Sequence, residues 1–268
     1  MEISENSPAV VTFMDTRKRV QKSDCLVSAT VFKRDVRIAF SYIGRPPLRQ
    51  FGTRSKINQF SKRSAKRLRH KVRNSDDQLK TFITLTYPKD FPCNGIETKS
   101  HLNAFLQYLR RKKIKYIWVL EFQERGAPHY HIIATGFIPK EELSRRWYTI
   151  VNSGDEKHLK AGTRIEAIKS KNHLYGYLSQ YIQKLYQKTV PDGFENVGRF
   201  WGSSRNLIEF VFYHFRSTYD TAARSIRLLR KWYRSHLRAW GIKWKWQGAG
   251  FTALDGTEFV NQLRELRI

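Results

Sequence analysis

The sequence lacks the features that mark secreted, membrane-spanning and zinc-finger proteins. Cys25 and Cys93 are its only cysteines, too few for a disulfide framework or a four-cysteine zinc site. No segment approaches the ~20 consecutive apolar residues of a membrane span. The N-terminus "MEISENSPAVVTF" does not have the basic-then-apolar order of a signal peptide. We therefore expect a protein of a reducing cytoplasm without a membrane partner.

Acidic residues are also scarce. The 268 residues include 50 Lys and Arg against 23 Asp and Glu, which gives a formal net charge of +27. Such an excess favours a polyanionic partner, with nucleic acid as the first candidate and anionic membrane as the second. An apolar content of 40% with 14% aromatic residues predicts a packed core, so the chain is not a disordered basic tail.

The order of hydrophobic patterns predicts an α+β core over residues 76–205. Alternating apolar residues predict strands at 80–88, 115–123 and 128–137. Apolar residues at three- and four-residue spacing predict helices at 100–113 and 172–188. Residues 1–75 are predicted to hold β segments and a basic helix, either as part of the same fold or apart from it. Residues 206–268 are predicted to form a basic amphipathic helical extension.

Two basic segments are candidates for binding phosphates. Residues 53–74 carry nine Lys and Arg and no acid, with Arg63, Lys66 and Arg67 near the middle. Residues 218–240 repeat apolar residues at helical spacing, and arginines fall between them. The arginines proposed to contact DNA there are Arg227, Arg230 and Arg234. A solubilising surface is the alternative for both segments, and an acidic partner is a further alternative for the second.

The segment "EFQERGAPHYHIIATG" (121–136) predicts a metal site on a hairpin. Side chains two residues apart in a strand share a face, so His129 and His131 point the same way. Glu121, on the preceding strand, is placed as a third donor, and Glu124 in the turn is its rival. Two imidazoles and one carboxylate leave positions for water and substrate, as catalytic metal sites do. The alternatives are two structural core histidines, or a structural zinc that uses Cys93.

The segment "YGYLSQYIQK" (175–184) supplies candidate nucleophiles. Tyr177 and Tyr181 lie one helical turn apart on one face, and Lys184 follows three residues later. A phenol with an ordinary pKa near 10 attacks a phosphate only when a cation or metal stabilises its phenolate. Lys184 and a divalent ion are candidates for that role. Packing against the sheet is the alternative role for Tyr181.

In this order, "FITLTYP", the E-x7-HYH arrangement with its "GAP" turn, and Y-x3-Y-x2-K resemble the three motifs of the HUH endonucleases. The similarity is to Rep-type replication initiators of rolling-circle phages and plasmids, over residues 80–202. The resemblance implies the HUH/Rep nuclease fold, a central antiparallel sheet of about five strands flanked by helices.

The resemblance also implies a role for each candidate residue. The ligands of Mg²⁺ or Mn²⁺ would be His129, His131 and Glu121. Tyr181, with Lys184 nearby, would attack the scissile phosphate to give a 5′-phosphotyrosine and a free 3′-hydroxyl. Tyr177 would be the second nucleophile, which closes the circle after one round. A reaction that uses Tyr181 alone is the other option.

The implied substrate is single-stranded or supercoiled origin DNA in the cytoplasm of a bacterial host. No G-x-x-x-x-G-K-[ST] motif occurs in the chain, so a host helicase would unwind the DNA and a host polymerase would extend it. Two other functions compete with this one. They are a non-catalytic basic DNA-binding protein and an HUH-type transposase.

Overall fold

The computed structural model describes residues 25–32, 35–42, 56–183, 189–205, 207, 211–218 and 251–252, with six positions between 224 and 238. The strands are β1 (Cys25–Phe32), β2 (Asp35–Tyr42), β3 (Thr81–Thr86), β4 (Tyr116–Phe122), β5 (Pro128–Ala134), β6 (Thr163–Ala167), β7 (Trp201–Ser203), β8 (Val211–Thr218) and β9 (Phe251–Thr252). The helices are α1 (Lys62–Arg73), α2 (Gly95–Arg111), α3 (Lys140–Val151), α4 (Glu156–Ala161) and α5 (Lys171–Gln183), with a short 3-10 turn at Asp76–Gln78.

A five-stranded sheet forms the centre of the fold. Its strand order is β6-β3-β5-β4-β7, and every pair of neighbours is antiparallel. This confirms the predicted α+β class, with an antiparallel sheet of five strands flanked by helices. The strands predicted at 80–88, 115–123 and 128–137 are all present, each shortened by a few residues.

The register of the central strands sets the position of the site. Glu121 of β4 and Thr86 of β3 both pair directly with His129 of β5, one on each side. Directly paired residues share a sheet face, so the three side chains point the same way. His131 follows on that face, opposite Thr84 and Val119.

Helices cover both faces of this sheet. On the face opposite the histidines, Tyr130 is fully buried and its hydroxyl donates to the carbonyl oxygen of Thr98 in α2 at 3.2 Å. The α2 residues predicted to face the core are buried, namely Leu102, Phe105, Leu106 and Leu109. On the histidine face, Tyr177 of α5 stacks on Phe82, and Trp201 of β7 donates to Ser64 of α1 at 2.8 Å. The histidine face therefore lies under α5 and α1.

A second sheet joins the two ends of the chain. Its order is β8-β1-β2-β9, and all three pairs are antiparallel. Residues 211–218 are therefore a strand, and their assignment to a helical extension was wrong. The alternation of Val211, Tyr213 and Phe215 is a strand signal that the stronger arginine periodicity beyond residue 218 concealed. The boundaries drawn at residues 75 and 205 stay predictions.

One helix was not anticipated. In α4, the Asp155 side chain caps the first turn by accepting from the backbone N–H of Lys157 at 2.8 Å. Gly162 ends the helix, and a Cβ there would overlap His158. The helix has six residues, too few for hydrophobic periodicity to reveal it.

Candidate active site

Strand β5 brings His129 and His131 together on the covered face of the sheet. Their ring centroids are 4.4 Å apart and their planes are nearly perpendicular. Glu121 is 7% exposed and His131 is 5% exposed, so both side chains are removed from bulk water. Glu124, the rival carboxylate, is exposed in the turn after β4. The structure therefore places Glu121, and not Glu124, beside the histidines.

Glu121, His131 and Tyr177 form a hydrogen-bonded chain. Nε2 of His131 lies 3.1 Å from Oε2 of Glu121, and Nδ1 lies 3.2 Å from the Tyr177 hydroxyl. An ionised carboxylate can only accept, so it holds the imidazole proton on Nε2. Nδ1 of the neutral ring then accepts the hydrogen of the Tyr177 hydroxyl. This is the arrangement of an orienting acid, a base and a hydroxyl nucleophile.

His129 stays neutral over the physiological range. Burial lowers the pKa of His129 to about 3, and repulsion from His131 adds to this, against the attraction of Glu121. Its Nδ1 lies 3.1 Å from the Thr86 hydroxyl. Nε2 has no hydrogen-bond partner among the residues that the structure describes. A neutral imidazole with an available nitrogen is the form that binds metal ions.

Thr86 is itself held firmly at the end of β3. Its carbonyl oxygen accepts from Nε1 of Trp147 at 2.8 Å and lies 2.9 Å from Nε2 of His158. Its backbone N–H donates to Gly162 at 2.8 Å. Helices α3 and α4 thus fix the residue that orients His129. The sequence analysis missed Thr86, because its partner depends on a register that alternation alone does not reveal.

Phe82 fixes the ring of Tyr177. The two rings stack with centroids 3.7 Å apart at an angle of 23°. Leu174 and Leu178, one turn on either side in α5, are buried and hold the helix against the sheet. The side chain of Tyr177 is therefore set by packing as well as by its hydrogen bond to His131. Phe82 was a further residue that the sequence analysis missed.

The remaining residues of the tyrosine motif are only partly described. Tyr181 lies in α5, but its side chain is outside the described residues, as is the whole of Lys184. Tyr175, which was predicted to be a packing residue, is half-buried, and its hydroxyl donates to Oδ2 of Asp76 at 2.5 Å. Of the two candidate nucleophiles, the structure brings Tyr177 to the histidines.

The fit of a divalent ion depends on donor chemistry and on spacing. Two imidazoles and a carboxylate are suitable donors for Mg²⁺ or Mn²⁺. Across the described ranges, however, no group of three or more His, Cys, Asp or Glu side chains is arranged to hold a metal ion. The physical reason is that Glu121 and His131 are hydrogen-bonded directly to each other. Ligation by all three residues requires that hydrogen bond to be exchanged for bonds to the ion.

Arg125 ties the β4–β5 turn to the segment after β3. Its guanidinium donates to the carbonyl oxygens of Tyr87, Pro88 and Lys89 at 2.8, 2.7 and 3.1 Å. It also lies 5.0 Å from the ring centroid of Phe91. The two segments that carry Glu121, His129 and Thr86 at their ends are thereby fixed to each other.

The predicted DNA-binding residues lie on exposed helical surfaces. In α1, Ala65, Leu68 and Val72 are buried, whereas Arg63, Lys66 and Arg67 are exposed. Between 224 and 238 the described positions are helical and exposed: Arg224, Arg227, Lys231, Arg234, Ser235 and Arg238. Their spacing of three and four residues forms a basic stripe. Arg230 lies outside the described residues.

Comparison with known proteins identifies the central part of the chain. Residues 80–186 match a family model described as replication-associated protein, of the ORF2 type. This confirms the resemblance to rolling-circle replication initiators of phage or plasmid type, and the matched segment contains Glu121, both histidines and α5. No curated protein and no solved structure gives a significant match to the chain. Among the described residues no helix is long and apolar enough to cross a membrane.

Proposed function

Starting from a core that matches replication-associated proteins, we propose that this chain nicks and rejoins single-stranded DNA by tyrosine transesterification. The reaction starts and ends rolling-circle replication of a phage or plasmid. The observation that carries the proposal is the 3.2 Å contact between the Tyr177 hydroxyl and Nδ1 of His131, whose other nitrogen contacts Glu121.

In the proposed reaction Tyr177 is a nucleophile. Its hydroxyl proton passes to Nδ1 of His131, and the phenolate oxygen attacks the scissile phosphorus. The bond from phosphorus to the 3′-oxygen breaks, and the leaving oxygen takes up a proton to become a free 3′-hydroxyl. The 5′-phosphate remains esterified to the tyrosine. Because one phosphodiester replaces another, the reverse reaction rejoins DNA without a nucleotide cofactor.

Tyr181, one helical turn further along α5, is proposed as the partner nucleophile of Tyr177. Two phenols on one helix face can reach one phosphate in turn. The second transesterification then releases the strand joined to the first. Lys184 is proposed to stabilise a phenolate by its charge.

The proposed ion site consists of His129, His131 and Glu121. A bound Mg²⁺ or Mn²⁺ supplies Lewis-acid polarisation of the scissile phosphate. With Nε2 of His131 engaged as a ligand, the imidazole proton resides on Nδ1 and donates to the Tyr177 oxygen. His131 then stabilises the phenolate instead of accepting its proton.

Basic helical surfaces are proposed to hold the DNA. Arg63, Lys66 and Arg67 are exposed on α1, which covers the histidine face together with α5. Arg227 and Arg234 belong to the exposed basic stripe, and Arg230 is proposed to join them. Host helicase and polymerase are the proposed protein partners, since the chain has no nucleotide-binding motif of its own.

The decisive experiment is to trap the covalent intermediate. The protein is incubated with single-stranded DNA from its own replicon and Mn²⁺, denatured, digested and analysed by mass spectrometry. We expect a nucleotide attached to the α5 peptide, at Tyr177 or Tyr181. Cleavage without any adduct, or an adduct on a residue outside α5, contradicts the proposed chemistry. Binding with neither cleavage nor adduct favours a non-catalytic DNA-binding protein.

A further inference from the structure

A second concave surface lies at the end of the central sheet away from the histidines. The C-terminal end of α2, the start of β4 and the end of β7 enclose a cleft of about 600 Å³. Its polar lining residues include Arg110, Lys113, Lys115, Tyr116, Ser203 and Arg205. We refer to it as the β4–β7 cleft.

The β4–β7 cleft concentrates uncompensated positive charge. Its lining contains two arginines and two lysines but no acid. None of these four cations forms an ion pair with any residue in the described part of the chain. The adjacent Lys112, by contrast, pairs with Glu142 at 2.7 Å. The acid nearest to this end of α2 is therefore engaged outside the cleft.

The cleft also offers neutral donors in a fixed frame. Arg110 donates to the buried Tyr116 hydroxyl at 2.8 Å, which leaves the hydroxyl hydrogen of Tyr116 for another acceptor. Ser204 is buried behind it, and its hydroxyl oxygen accepts from the Tyr116 backbone N–H at 2.9 Å. Arginine, lysine, serine and tyrosine donors are the groups that proteins use to contact DNA phosphates.

We propose that the β4–β7 cleft binds the phosphodiester backbone of DNA at a distance from the scissile phosphate. Tyr116 and Glu121 are five residues apart on β4, which corresponds to about 17 Å along a strand. That span equals about five base pairs of duplex. The identity of the DNA as origin DNA rests on the proposed function, but its capture by the cleft does not.

The edge of the sheet connects the two ends. Strand β7 is an edge strand, with exposed Arg199 before it and exposed Arg205 after it. A backbone that follows this edge meets a cation at both ends. An anionic membrane presents a flat surface, so the concave form of the cleft favours a strand of polyanion. An acidic protein segment is the competing ligand that the experiment must separate.

The first test uses two variants matched in residue type and charge. Lys113→Gln/Lys115→Gln/Arg205→Gln alters the cleft, and Lys140→Gln/Arg145→Gln/Lys157→Gln alters exposed positions on and beside α3 and α4. Binding of labelled duplex and single-stranded DNA of arbitrary sequence is measured against salt. Each lost contact lowers the salt slope by about 0.9 on duplex and about 0.7 on single strands. We expect the cleft variant to lose about 3 slope units on duplex, and the control to behave as wild type.

The second test needs no variant. DNA-bound and free wild-type protein are acetylated briefly, and lysine modification is compared by mass spectrometry. We expect DNA to protect Lys113 and Lys115 but not Lys140 and Lys157. Equal protection of all four lysines, or equal loss of slope in both variants, would overturn the proposal. Competition by a poly-glutamate peptide at Lys113 and Lys115, without protection by DNA, would assign the cleft to an acidic protein.

These outcomes are separate from those for the proposed function. A chain that forms no tyrosine adduct but shows cleft-specific protection keeps the DNA site and loses the nicking chemistry. A chain that forms the adduct with an unchanged salt slope in the cleft variant shows the reverse.

Discussion

Tyr177 of α5 and His131 of β5 share a hydrogen bond of 3.2 Å across the interface between helix and sheet. The residues are 46 positions apart in sequence, so only the packing of α5 on the sheet brings them together. Because Glu121 engages the other nitrogen of the same imidazole, the state of one carboxylate reaches the phenol through a single ring.

Removal of the Tyr177 hydroxyl should abolish the first strand cleavage. Tyr177→Phe keeps the stacked ring but removes the hydroxyl that His131 would activate, so we expect adduct formation to fall at least about 100-fold. Quantitative gel assay of the protein–DNA adduct measures this. Tyr181→Phe is the matched control and should retain the first nick while losing multi-round turnover. Full adduct yield in Tyr177→Phe with none in Tyr181→Phe would reverse the assignment.

Neutralising Glu121 should weaken ion binding as well as nicking. Glu121→Gln keeps the size of the side chain and removes its charge, so we expect Mn²⁺ affinity and nicking rate each to drop about 10–100-fold. Calorimetric titration with Mn²⁺ gives the affinity. Glu124→Gln, in the exposed turn, should match wild type in both measurements. Equal losses in the two variants would show that the charge acts from a distance and not as a ligand.

Phe82 should matter to chemistry beyond its contribution to stability. Phe82→Leu removes a stacked aromatic pair worth about 1 kcal/mol and releases the Tyr177 ring. We expect lower nicking at equal folded fraction. Phe105→Leu, also fully buried but in α2 on the opposite face, should lose comparable stability in urea denaturation and keep its nicking rate. Equal effects on rate would remove any special role of Phe82.

Acid should destabilise the fold partly through His129. Burial lowers the pKa of His129 to about 3 in the native state, against about 6.5 in the unfolded chain. Between these values the unfolded state binds a proton that the native state does not, so the free energy of unfolding falls as pH falls. We expect His129→Gln to show a shallower loss of stability from about pH 7 to about pH 4 than wild type. Urea denaturation at several pH values measures both slopes, and identical slopes would count against a neutral buried imidazole.

Arg125 should control the order of the segment that follows β3. A lysine has no planar fork, so Arg125→Lys cannot reach three carbonyl oxygens at once. We expect faster amide exchange over residues 87–92 and a loss of stability of about 1–2 kcal/mol. Arg111→Lys, at the exposed end of α2, is the control and should leave exchange there unchanged. Unaltered exchange in Arg125→Lys would mean that other contacts hold the segment.

The sequence predicted those parts of the fold whose signal is local. Alternation located β3, β4 and β5, and helical spacing located α2 and α5, because each pattern is complete within one element. The side of the sheet on which His129 and His131 lie followed from the same alternation. The placement of Glu121 beside His129 needed only the hairpin register.

Features that depend on distant pairing were not predictable in the same way. The strand β8 gains its place only from β1, nearly two hundred residues earlier, and its short alternation competed with a longer helical pattern. Thr86 and Phe82 acquire their roles from partners on β5 and α5. The choice of Tyr177 as the tyrosine that contacts His131 likewise depends on how α5 lies on the sheet, which the spacing of the tyrosines does not specify.

The pairing of β8 with β1 and of β9 with β2 makes the histidine-bearing sheet a topological insertion within another unit. Shortening the protein from its C-terminal side alone would strip β1 of its neighbour and leave an open hydrogen-bonding edge, which invites aggregation. A compact minimal enzyme would therefore have to be excised from both sides at once. A circular permutant opened within the core would, by contrast, leave the flanking sheet intact.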